Sequence, residues 1–98
     1  MTASIERVLS DLMFLKDKTD RKWGRFILRT CAASKVLEEA GELGVALTMP
    51  EDPVAHGLPP GIDFDEWRRE RIYAEALDVA NVAIRIAQEF GRAPNDGR

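Results

Sequence analysis

Two groups of acidic residues have the types and spacing to do chemistry. The first is Glu38, Glu39 and Glu42. At about 100° per residue they fall at about 0°, 100° and 40° around a helix, with Lys35 at about 60° in the same arc. The second is Glu75 and Asp78, three apart and therefore neighbours on one helix face. Arg71 and Arg85 share that sector, a turn before Glu75 and two turns after Asp78. Asp78 is set in Leu77-Asp78-Val79-Ala80 followed by Asn81-Val82-Ala83-Ile84. A charge inside so apolar a helix is costly unless something compensates it.

Each group alone has an ordinary explanation. Glu is a good helix former, so Glu38, Glu39 and Glu42 fit a solvated face with i,i+4 pairs. Asp78 can pair with Arg71, Arg85 or Arg29. Together the groups say more, because like charges on facing helices repel unless a cation lies between them. Mg²⁺ and Mn²⁺ prefer oxygen ligands, and a bundle lined by inward Glu and Asp supplies them. A bound divalent cation is the expectation.

Three helices must position these groups, and no strand pattern of useful length competes with them. The first spans about residues 4–16, where Ile5, Val8, Leu9, Leu12, Met13 and Leu15 recur at helical spacing. Thr2 or Ser4 can cap it, and the polar run 17–20 reads as a turn. The second begins near Asp20 or Gly24 and ends near Leu47, with Val36, Ala40, Leu43, Leu47 and Ala33 as its core stripe, mostly opposite the acids. Close approach of another helix would account for Gly41 and Gly44, which otherwise weaken it. Pro50 and Pro53 end it, and the loop to Gly61 carries four of the five prolines.

The third helix has Asp63 as N-cap, Glu66 in capping-box spacing, and Ile62 with Trp67 as a hydrophobic staple. It runs to about Phe90, with Gly91 as a left-handed stop and Pro94 beyond. One stripe on it is Tyr73, Leu77, Ala80, Ile84 and Ala87; another is Val79, Ala83, Ile86 and Phe90. A helix apolar on two sides is buried on both. Two other helices in 98 residues hardly cover it, so a homodimer or homotetramer that completes a helical bundle is expected. The domain is residues 1–91, with a disordered tail at 92–98.

The two motifs also resemble a known family. Lys35-Val-Leu-Glu38-Glu39-Ala-Gly-Glu42-Leu is similar to the EExxE motif of the MazG-like nucleotide pyrophosphohydrolases, and Glu75-Ala-Leu-Asp78-Val-Ala-Asn81 to their ExxD motif. Order and helix-loop-helix setting agree, over residues 35–85. The resemblance implies an all-α bundle and Mg²⁺-dependent hydrolysis of a nucleoside triphosphate to the monophosphate and pyrophosphate, including house-cleaning of non-canonical nucleotides. It implies metal ligation by Glu39, Glu42, Glu75 and Asp78, a further ion or the attacking water at Glu38, and substrate near Asn81. Lys35 and Arg85 either meet phosphate oxygens or pair with the same acids. The family often adds a basic helix after ExxD; here a partner subunit would complete the site, or the chain is a minimal or truncated version.

Other classes fit less well. Net charge is −3 and no basic run tracks a nucleic-acid backbone, so nucleic acid is not an expected partner. No stretch approaches the roughly 20 apolar residues of a membrane span, and no secretory signal is seen, so a cytoplasmic protein is expected. The single cysteine, Cys31, excludes an internal disulfide and multi-cysteine zinc sites. His56, alone in the loop, reads as solvated, and Trp23 and Trp67 as anchors of helix ends. Two alternatives remain: a phosphoribosyl-ATP pyrophosphohydrolase-like enzyme, and a non-catalytic helical dimerisation or regulatory module.

Overall fold

The computed structural model describes residues 2–23, 28–48 and 57–91. They form three helices, α1 (Ile5–Trp23), α2 (Leu28–Thr48) and α3 (Phe64–Phe90), with no strand among the described residues. The chain is all-α, as its periodicity predicts. The tail at 92–98 and the loop segment 49–56, with His56, lie outside the described residues, as do the side chains of Trp23 and Cys31.

Ser4 starts α1 by accepting the Arg7 N–H at 3.1 Å, which satisfies one of the orphan donors of the first turn. The expected turn at 17–20 is absent, and α1 runs through it to Trp23. Charged residues at i,i+4 hold this stretch helical: Lys16 Nζ meets Asp20 Oδ2 at 2.6 Å, and Arg21 Nη2 meets Asp17 Oδ2 at 2.7 Å. The Thr19 hydroxyl donates to the Leu15 carbonyl at 2.8 Å. Polarity alone does not break a helix when the charges alternate in sign a turn apart.

Asp63 caps α3 as expected, accepting the Glu66 N–H at 3.2 Å. The two residues of the expected staple sit differently. Ile62 is 43% exposed, while Trp67 packs against Phe64 with ring centroids 5.7 Å apart and carries the Arg71 guanidinium at 5.6 Å. Gly91 is also not a left-handed stop. It is extended (φ −75°, ψ 153°), and its N–H bonds to the Ala87 carbonyl at 2.8 Å.

Among the described residues, the two shorter helices both pack on α3 and not on each other. α2 is antiparallel to it: Arg68 donates to the Leu47 carbonyl at 2.9 Å, Glu75 meets Glu42, and Asp78 faces Glu39. α1 is parallel to it: Tyr73 donates to Asp11 at 2.6 Å and Asn81 to Thr19 at 3.3 Å, the same offset of 62 residues in both.

The apolar core of this arrangement is thin. Among the described residues only Leu12, Ala46 and Val82 are buried hydrophobics. The Cα radius of gyration is 16.5 Å, against about 13 Å for a compact domain of this length. The stripe expected to form the core on α2 mostly faces outward: Ala33, Val36, Ala40 and Leu47 are exposed and Leu43 is half-buried. Its polar sector, with Glu39 and Ala46, turns to α3 instead. Gly41 and Gly44 have open space where a Cβ would stand, so none of the three described helices approaches them closely. On α3, Ala83, Ala87 and Phe90 are exposed, and the other stripe residues are half-buried.

Candidate metal centre

Where α2 crosses α3, three carboxylates converge. Glu39, Glu75 and Asp78 each offer an oxygen within 4.8 Å of the other two. Antiparallel packing is what brings this about. Glu75 and Asp78 are one turn apart on α3, and Glu39 comes level with them from α2. Glu39 is 8% exposed, and Glu75 and Asp78 are half-buried.

The electrostatics record the crowding. Burial raises the Glu75 carboxyl above the ordinary carboxylate range, and the charges of Glu42 and Asp78 and a hydrogen bond to Glu42 raise it further, with Arg71 opposing. Burial also raises Asp78, helped by Glu39 and Glu42 and opposed by Lys35. Desolvation and like charges both disfavour the ionised forms. Glu39 Oε2 and Glu75 Oε2 are buried without a hydrogen-bond partner. Buried carboxylate oxygens left open in this way favour a cation.

The other residues singled out from sequence fall into distinct places. Glu42 is exposed but reaches Glu75, at the edge of the cluster. Glu38 turns outward and pairs with Lys35 at 3.6 Å; Lys35 also holds Glu39 at 3.1 Å. The hydrogen bond to Glu39 raises the Lys35 ammonium pKa. Lys35 therefore pairs with the acids of its own helix. Asn81 is 5% exposed, one turn beyond Asp78, with its amide on Thr19. Arg85 is buried and meets Asp20 of α1 at 3.4 Å.

Sequence reasoning passed over α1. Thr19 and Asp20 reach Asn81 and Arg85 on α3, and Lys16 meets Asp20, yet the run 17–20 was expected to be a turn. The available signal was the spacing Lys16–Asp20 and Asp17–Arg21, two opposite-charge pairs at i,i+4.

The donor set suits a hard divalent cation. It is all oxygen and anionic, and lies between rigid helices. Oxygens around one Mg²⁺ stand about 3 Å apart when adjacent and about 4 Å when opposite, so a modest rotamer change would draw these three in. Compared with protein-family models, curated proteins and solved structures, the chain matches none.

Proposed function

We propose that this protein is a Mg²⁺-dependent nucleoside triphosphate pyrophosphohydrolase, in the manner of the MazG-like enzymes that its two acidic motifs resemble. The observation that carries the reading is the convergence of Glu39, Glu75 and Asp78 with buried, unpartnered oxygens on Glu39 and Glu75. These three carboxylates, with Glu42 beside Glu75, would hold the cation. When bound, Mg²⁺ or Mn²⁺ supplies charge neutralisation for phosphate oxygens and lowers the pKa of coordinated water.

The chain's own residues do the rest. Phosphoryl chemistry asks the protein mainly for positioning and electrostatic complementarity. Glu38, solvent-facing and one residue from the buried Glu39, would accept a proton from an attacking water. Asn81 and Arg85 lie along α3 from Asp78, where phosphates would extend. Lys35 balances the charge of Glu39 and keeps its carboxylate aimed at α3.

Self-association belongs to the same proposal. With three buried hydrophobics among the described residues and an uncharged outer face on α2 from residue 33 to residue 47, the protein gains by covering that face with a second copy. Among the described residues no helix is long and apolar enough to cross a membrane. The deciding experiment is pyrophosphate release across a nucleotide panel, with and without Mg²⁺ or Mn²⁺. Turnover that needs the metal, and disappears in Glu42→Ala and Asp78→Ala at native helix content, is expected. Turnover retained in either variant overturns the ligand assignment, and no turnover with any nucleotide overturns the activity.

A further inference from the structure

The groups between α1 and α3 form a second polar cluster with chemistry of the opposite sign. Lys16 Nζ lies 2.6 Å from Asp20 Oδ2, and Arg85 Nε lies 3.4 Å from Asp20 Oδ1. The two cationic side chains are 12% and 8% exposed, whereas that of Asp20 is 38% exposed. One carboxylate thus serves two largely buried cations, one at each oxygen, and opens to solvent itself. An anion arriving from solution can reach the place the carboxylate fills. An ammonium has three N–H donors, and Asp20 takes one of those on Lys16.

Neighbouring groups define where such an anion would lie. The Thr19 hydroxyl spends its proton on the Leu15 carbonyl, so its oxygen must accept the Asn81 amide N–H. That fixes the Asn81 side chain with Oδ1 buried and without a donor. The common offset of 62 residues between α1 and α3 brings Lys16 level with Asp78 along the helix axis. Around α3, Arg85 lies only about 20° from Asp78. The cationic cluster therefore adjoins the carboxylate cluster along one side of α3.

We propose that Lys16 and Arg85 form a polyphosphate subsite, with Asp20 as an internal stand-in that swings out to solvent when phosphate oxygens take its place. This rests on the proposed hydrolysis for the identity of the substrate, a nucleoside triphosphate whose phosphate chain spans from the carboxylates to the cations. Lys16 and Asp20 are the new assignments. Lys16 binds phosphate, and Asp20 sets the threshold for binding by competing for the same donors.

The probe is inorganic tripolyphosphate in the presence of EDTA, followed by titration calorimetry. Lys16→Gln is expected to weaken binding about tenfold, the worth of one charge-assisted hydrogen bond, and Lys16→Arg to keep most of it. Asp20→Asn is expected to tighten it several-fold, with circular dichroism reporting native helix content. Equal affinities across the wild type, Lys16→Gln and Asp20→Asn overturn the subsite. Should Asp20→Asn fail to fold, Lys16→Gln against Lys16→Arg decides alone, and equal binding by those two overturns it. Because the measurement uses neither metal nor turnover, an inactive enzyme that shows the Lys16 dependence removes the proposed hydrolysis and leaves the anion site standing. An active enzyme without that dependence does the reverse.

Discussion

Glu39 on α2 and Glu75 on α3 bring carboxylate oxygens within 4.8 Å of each other, and each keeps its Oε2 buried with no hydrogen-bond partner. Two acids so placed oppose the packing of the helices that carry them. A cation turns that repulsion into attraction, so metal binding and helix packing should be linked.

Thermal unfolding at neutral pH is the first check. Mg²⁺ or Mn²⁺ at a hundredfold excess over its Kd should add about 2.7 kcal/mol, a rise in Tm of roughly 10 °C or more. An unchanged Tm across a millimolar titration would count against the centre.

Without metal, acidity should do part of the cation's work. Glu75 and Asp78 both titrate above their ordinary range in the folded chain. The native state therefore holds more protons than the unfolded state between the ordinary carboxylate pKa and the raised values, and stability falls as pH rises through that window. In EDTA, Tm should climb as pH is lowered from neutral toward the ordinary carboxylate range. Saturating metal should flatten or reverse the slope.

Asp78→Asn separates the two effects. It removes one of the crowded charges, so the metal-free protein should gain roughly 0.5 kcal/mol. The same change should abolish the metal-dependent rise in Tm. Parallel melts with and without Mg²⁺ test both halves.

The contact between α1 and α3 is tested at Tyr73. Tyr73→Phe removes the hydroxyl that donates to Asp11 at 2.6 Å and should lower the urea midpoint measurably, with the slope unchanged. The hydrogen bond to Asp11, with some help from burial, raises the Tyr73 pKa, so this contribution is complete below the ordinary tyrosine range and is lost only as pH rises through the raised value.

Assembly is tested at Leu37, which is 71% exposed on the uncharged face of α2. Light scattering of the wild type should report a dimer or larger species. Leu37→Glu should shift it toward monomer and lower its Tm, because a charge would have to be buried in the interface.

How far these features could be read without coordinates differs from residue to residue. The Asp63 cap and the span of α3 were legible because capping and helical periodicity are local. Glu39, Glu75 and Asp78 could be grouped because helical spacing fixes which side chains share a face. The orientation of α2 was not legible. Periodicity shows that Val36, Ala40 and Leu47 share a side, but not whether α3 or something outside the chain covers it. Gly91 was misread because several cap geometries suit the same residue. Lys16–Asp20–Arg85 was hidden because Arg85 lies 65 residues beyond Asp20 and 69 beyond Lys16, joined only by the docking of α1.

From Phe64 to Phe90, α3 contains neither proline nor glycine. It has no built-in joint at which to bend, so its residues behave as marks on a ruler. The interval from Asp78 to Arg85 is seven residues, about 10 Å of helix rise. The length of anion that fits between the two ends is thereby written into a residue count. A one-turn insertion between Asp78 and Arg85 would preserve every side chain and still make the gauge the wrong size.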